Sequence, residues 1–350
     1  MTASGSRNEG TGQDRGDPAI RRLVCVSANA AVDRIMVVDR LSPGEIHRAQ
    51  LLSVVPGGKA LNVARAATHL GLPASVVAVL AGRAGDWIAD ELAARRIATR
   101  RVAVRGESRT CTSVLDRATG LLTEFYEAGV TVDAGTWDAL ERALVDELAT
   151  GSADALVVLA GSLPPGAPAD GYRRLAALSA ERGATVALDA GAGSLRVGLA
   201  ARPWLVKVNA GEAAAALSAD GGGEDPATTR IAPQQDDGDR DASLRAAAAI
   251  RSRGASVAIL TLGAAGAVLA CESGTWRVGP SPELGPYPVG SGDAFLAGFA
   301  AGVASRLGLP ESARWAAAVA SAHALVPGQG EFDLSTAERF RARVTLERVD

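Results

Sequence analysis

Short apolar runs recur along the chain at Leu23 to Ser27, Ser75 to Leu80, Ala155 to Leu159, Thr185 to Leu188, Trp204 to Val208 and Val257 to Leu262. Between most of them lie helical segments: Ala60 to Leu70, Thr136 to Ala149, Asp170 to Arg182 and Ala242 to Arg253. Strand and helix in alternation predict parallel βαβ units with right-handed crossovers, an α/β protein whose ligands sit at the carboxyl ends of the strands. Two stretches depart from this rhythm. Arg34 to Val55 and Val102 to Tyr126 alternate apolar and polar residues at strand period, the second with a turn at Asp116 to Gly120. They predict an antiparallel flap outside the main sheet, read either as a lid or as an edge extension or dimer contact. Ser218 to Asp241 is rich in Gly, Asp, Pro and Gln and is expected to be a mobile loop.

Composition narrows the function classes. A chain of 350 residues allows two domains or one large α/β domain, and abundant Ala, Val, Leu and Gly with few aromatics suits a parallel sheet covered by helices. Residues 1–21 are polar and Gly-rich, so we expect a disordered tail followed by a single domain over 22–345. A net charge of −3 offers no field for nucleic acid, and no apolar run approaches a membrane span or a signal segment. Cys25, Cys111 and Cys271 are too far apart for a disulfide framework or a metal cluster. The expectation is a cytoplasmic protein with a small-molecule ligand. Lys59 and Lys207 are the two lysines among 36 basic residues, and both fall in the motifs below.

The densest chemistry lies at Pro288-Val289-Gly290-Ser291-Gly292-Asp293, ahead of a small-residue helical run. Residues without bulk bare the backbone N–H groups of a first helical turn, where the macrodipole favours an anion such as phosphate. A carboxylate there repels that anion unless it is aimed past it at a hydroxyl that must lose its proton. Asp293 is therefore either a general base or an ordinary helix-start carboxylate. Gly57-Gly58-Lys59 with Asn62 places two glycines, a cation and an amide at another helix start, suited to sugar hydroxyls; the spacing is not that of a P-loop. Asp33, just after the first strand, can accept two hydroxyl hydrogen bonds or cap its loop. In Lys207-Val208-Asn209-Ala210-Gly211-Glu212, the amide and carboxylate either hold Mg²⁺ through water or form a capping box. Thr261-Leu262-Gly263-Ala264-Ala265-Gly266 ends an apolar run in a glycine turn that admits a nucleotide edge, although strand ends carry such turns routinely.

Taken in order, these motifs resemble the PfkB (ribokinase-like) carbohydrate kinases from about Leu23 to Phe332, and within them the branch acting on hexose phosphates. The branch markers are Asn29 to Asp33, Pro43-Gly44-Glu45 with Arg48, Gly57, Arg109 and Gly161-Ser162-Leu163-Pro164-Pro165-Gly166. The resemblance implies a three-layer αβα fold with a mostly parallel sheet and a small antiparallel lid. It implies Asp293 as base, with Gly290, Ser291 and Gly292 as the anion hole. Asp33, Gly57, Gly58, Lys59, Asn62 and Ser162 would then line the sugar site, with Arg48 and Arg109 near the substrate's own phosphate. Lys207, Asn209, Thr261, Gly263 and Gly266 would serve ATP, and Glu212 with Asn209 would hold Mg²⁺. The implied reaction is ATP-dependent phosphorylation of fructose 1-phosphate; tagatose 6-phosphate or fructose 6-phosphate is the alternative acceptor, and a non-catalytic sugar-phosphate-binding regulator the alternative class. The resemblance leaves room for a homodimer through the lid. Ala30, Ala60 and Val208 replace a usual proline, glycine and proline, and Ala60 is expected to narrow the backbone approach to the sugar.

Overall fold

The computed structural model describes residues 17–218, 240–280 and 282–350. Residues 1–16 of the tail expected over 1–21 and most of the 218–241 loop lie outside them. The chain runs β1 (Arg22–Ser27), β2 (Ala31–Val38), β3 (Gln50–Gly57), α1 (Lys59–His69), β4 (Ala74–Ala81), α2 (Gly82–Ala94), β5 (Ala98–Val104), β6 (Arg109–Asp116), β7 (Leu122–Tyr126) and α3 (Ala134–Leu148). It continues through β8 (Ala155–Ala160), α4 (Gly171–Glu181), β9 (Thr185–Asp189), α5 (Ala192–Gly198), β10 (Leu205–Asn209), α6 (Ala210–Leu217), α7 (Arg240–Ser252) and β11 (Val257–Thr261). The last elements are β12 (Ala267–Cys271), β13 (Gly274–Val278), α8 (Ser291–Ala304), α9 (Leu309–His323), α10 (Leu334–Arg341) and β14 (Leu346–Arg348).

Among the described residues, one sheet of ten strands carries the order β14-β13-β12-β11-β10-β9-β8-β1-β4-β5. From β11 to β5 every pairing is parallel, and β12, β13 and β14 close one edge antiparallel. The pairing of β14 with β13 carries the domain past residue 345 to Arg348. At the other end, Ile20 is buried in the core and the Arg21 amide donates to Asp154 O at 2.9 Å, so ordered packing begins inside the segment expected to be tail.

The sheet is buried on both faces because alternate residues of each strand feed different cores. Leu23 and Cys25 pack with α1, α2, α8, α9 and α10; Val24 and Val26 pack with α3 to α7. This is the three-layer αβα arrangement. Ala60 and Ala30 belong to the first of these cores and Val208 to the second. The Ala60 methyl is therefore turned into the core.

The flap is a four-stranded sheet in the order β3-β2-β6-β7. Its outer pairs are antiparallel, but β2 and β6 run parallel from Ala31 opposite Arg109 to Val38 opposite Asp116. The second flap segment begins at Arg109 rather than Val102, because Val102 to Val104 complete β5 beside β4 in the main sheet. The flap roots directly in the sheet: β2 follows β1 by three residues, and β3 ends one residue before α1.

Candidate active site

The chain travels from β1 to β4 and β5 on one side and to β8 and beyond on the other, so the strand order reverses at β1. Ligands gather outside the carboxyl ends of strands at such a point. There the loops after β1 and β8 carry Asn29 and Ser162, and the last residues of β9, β10 and β11 are Asp189, Asn209 and Thr261, with the first turns of α1 and α8 nearby.

On the flap side, Asp33 sits on β2 opposite Val55 of β3, buried, and accepts from the Gly58 amide at 3.3 Å. Burial pushes its carboxyl up to about 6, against the pull of Gly58, Arg109 and Arg65. Gly57 is required here by close approach, since a Cβ would lie 1.9 Å from Asp33 Cγ. Gly58, at φ +92°, caps α1 and lies against the backbone of Asn29 and Ala30. Asn29 donates to Ser162 Oγ at 3.2 Å, joining the loops after β1 and β8. Arg109 opens β6, donates to Glu127 O at 3.2 Å and lies within electrostatic reach of Asp33. Arg48 is exposed on the loop between β2 and β3, in the flap.

Between the two halves lies a charge network that sequence reasoning missed at its centre. Asp189, the last residue of β9, is fully buried and accepts from Lys59 Nζ at 2.9 Å and Lys207 Nζ at 2.6 Å. Lys59 also reaches Glu212 Oε1 at 3.0 Å. Burial opposes the Lys59 charge, but Asp189, Glu212 and Asp293 outweigh it and hold the ammonium above its ordinary range. The converse holds for Asp189, which burial would neutralise and the two lysines keep ionised. The signal available in the sequence was a strand-end aspartate placed like Asp33, and the expected strand stopped one residue short of it.

At α8, Gly290 takes φ +85° as the helix cap and Asp293 lies in the first turn, buried. Asn62 Nδ2 donates to Asp293 Oδ2 at 2.9 Å, which joins the α1 and α8 termini across 231 residues. Asn62 Oδ1 is buried without a partner, an acceptor left for a ligand hydroxyl. Burial raises the Asp293 carboxyl to about 7; Lys207 pulls down, Asp189 pushes up, and Lys59 and Asn62 pull down. Lys207 Nζ would lie 2.8 Å from a Cβ on Gly292, so the ammonium hangs directly over the glycine turn.

Beyond β10, Asn209 and Glu212 form the capping box of α6: Glu212 N donates to Asn209 Oδ1 at 2.8 Å and Asn209 N to Glu212 Oε2 at 2.9 Å. The Asn209 oxygen is thus engaged, and the free end of the amide is its NH₂ group, a donor that suits phosphate oxygen better than a cation. The carboxylates Glu212 and Asp189 fit Mg²⁺ only as it is commonly held, with waters and substrate phosphates completing the shell. No group of three or more acidic, His or Cys side chains forms a protein cage among the described residues. Thr261 pairs with Asn209 in register across β10 and β11 and donates to Val208 O at 3.4 Å. Gly263 is exposed in the following turn. Gly266 has a structural duty: at φ +100°, a Cβ there would meet Val278 O at 2.1 Å.

A nest of backbone donors, two ammonium groups and a buried carboxylate of raised pKa suit the transfer of a phosphoryl group to an alcohol. Residues 21–337 match the model of the pfkB family carbohydrate kinases, and the chain belongs to that family. It is 32% identical to a 1-phosphofructokinase of Rhodobacter capsulatus over 85% of this chain and 88% of that protein. It is 28% identical to an ATP-dependent 6-phosphofructokinase isozyme 2 of Mycobacterium tuberculosis, covering 93% and 90%. Phosphofructokinase-2 from Escherichia coli, solved in complex with substrates and products, shares the fold at a TM-score of 0.80 and 23% identity, covering 93% of this chain and 99% of that one.

Proposed function

We propose that the protein transfers the γ-phosphoryl group of ATP to the free primary hydroxyl of a ketohexose monophosphate, with fructose 1-phosphate as the acceptor and fructose 1,6-bisphosphate as the product. The observation that carries this reading is the Asn62–Asp293 hydrogen bond, which ties the sugar-side helix terminus to the carboxylate beside the glycine nest. Asp293 accepts the hydroxyl proton as the new O–P bond forms and the bond to the ADP oxygen breaks. The Gly290 to Gly292 turn and Lys207 receive the charge on the moving phosphoryl oxygens. Asp33, Asn62 and the Gly57-Gly58-Lys59 corner hold the sugar, Ser162 lies at its rim, and Arg109 takes the phosphate it already carries. Lys207, Asn209, Thr261 and Gly263 line the nucleotide side. Glu212, with Asp189 behind it, would hold Mg²⁺ through water, and the ion would supply charge neutralisation at the ATP phosphates. The flap covers the sugar and excludes water, the competing acceptor; exposed Leu51, Phe125 and Tyr126 on it are consistent with a dimer through that sheet. We place the enzyme in the cytoplasm.

The relative named 6-phosphofructokinase favours a second reading, with fructose 6-phosphate as acceptor at its C1 hydroxyl. A panel of fructose 1-phosphate, fructose 6-phosphate, tagatose 6-phosphate and free sugars with coupled ADP detection separates the two. Turnover restricted to unphosphorylated sugars would overturn both, and sugar-phosphate binding with no ADP formed would leave a regulator.

A further inference from the structure

His323, the last residue of α9, is fully buried and belongs to none of the motifs above. Its Nε2 accepts from the Gly330 amide at 3.0 Å. Because a backbone N–H only donates, that nitrogen carries no proton and the ring's single proton is on Nδ1. Nδ1 lies 3.2 Å from Ser291 Oγ, in the middle of the glycine nest. With His323 donating, the oxygen of Ser291 acts as the acceptor and its own O–H remains to be given away. Ser291 is only partly buried, at the mouth where the phosphoryl group arrives. Burial, helped by Arg65, holds the imidazole down to about 4, so it is neutral through the working range. Gly290 leaves room for this arrangement: a Cβ on it would lie 2.9 Å from Gln329 Cγ and 3.3 Å from His323 Cε1.

We propose that His323 is a positioning residue that fixes the Ser291 hydroxyl as an additional side-chain donor to the transferring phosphoryl group, beyond the backbone donors of the nest. The inference rests on the reading of that nest as the phosphoryl site. Gly330 sets the tautomer, the tautomer sets the direction of the His323–Ser291 bond, and that direction frees the Ser291 proton.

Two measurements on the full-length protein test it. Long-range ¹H–¹⁵N spectra of the imidazoles, with His323 identified among the three histidines by its loss in His323→Gln, should show a neutral Nδ1–H ring from pH 6 to 8. An Nε2–H tautomer or an imidazolium overturns the proposal whatever the enzyme's substrate proves to be. In turnover with saturating ATP, Ser291→Ala and His323→Gln should each lower kcat about tenfold with sugar KM changed less than about twofold. The double variant should be no worse than either single one, as for two residues acting as a unit. His323→Asn, which keeps a donor where Nδ1 stood, should recover to within about threefold of the parent. Additive losses, full activity in Ser291→Ala, or equal losses in the Gln and Asn variants with matching falls in Tm would show a structural role only. Absence of turnover on every sugar phosphate in the parent would instead remove the assigned acceptor and leave the spectroscopic result to decide this proposal.

Discussion

Replacing Asp293 by asparagine removes the charge while keeping the shape, and two opposite consequences follow. The carboxyl is moved from 3.8 to about 7, mainly by burial. The folded protein thus holds this proton more tightly than the unfolded chain. The resulting stability is fully present below pH 3.8 and is lost as pH rises through about 7. At pH 8 the ionised carboxylate therefore costs the fold on the order of 4 kcal/mol, an upper figure because the buried network relaxes. Lys59, Lys207, Asp189 and Glu212 balance in charge without it, so a neutral amide in its place leaves no orphaned ion. Asp293→Asn should be more heat-stable than the parent, by a margin that widens from pH 4 to 7 and then levels. Turnover should move the other way, with kcat down by about 10² to 10⁴ and KM values changed little. In the parent, kcat/KM should rise about tenfold per pH unit up to about 7 and then flatten, and more steeply below about 6, where Asp33 also protonates. Differential scanning across pH, with coupled ADP detection, measures both arms. A variant within about threefold of parental kcat, or a Tm difference that ignores pH, refutes the reasoning.

Gly57→Ala meets no backbone barrier, because Gly57 is not among the positive-φ glycines, yet its methyl would displace the Asp33 carboxylate. Sugar KM should rise at least about tenfold with ATP KM unchanged; unchanged sugar KM would remove Asp33 from the site. Asp189→Asn strips the buried Lys207 ammonium of the carboxylate it pairs with, leaves the partly exposed Lys59 to Glu212, and should cost about 3–5 kcal/mol in urea unfolding. A loss below about 1 kcal/mol would mean that water already screens the pair.

The parallel strands were legible because strands buried on both faces are written as continuous apolar runs. β5 reads as flap sequence because it is the edge strand: with one flank wet, it alternates as the flap does. Within the antiparallel edge, β12 is a buried apolar run of the readable kind, whereas β14 is three residues, two of them exposed, and carries no pattern. Glycine-anchored motifs were readable since they pack several functions into consecutive residues. Asp189 and His323 were not, because the side chains they act on, Lys59, Lys207 and Ser291, lie 18 to 130 residues away. The Asn209–Glu212 spacing predicted both a cap and a cation site; only the cap needed no ligand to form.

The flap and the proposed sugar site share their covalent anchors. Asp33 lies within β2 itself, and Gly57 is the final residue of β3, one step before the helix bearing Lys59 and Asn62. Grafting a related flap onto this scaffold would therefore carry hydroxyl preference along with it, since the cover and half of the grip are one piece of chain. Engineering that treats the cover as an interchangeable module would rewrite which acceptor the enzyme chooses.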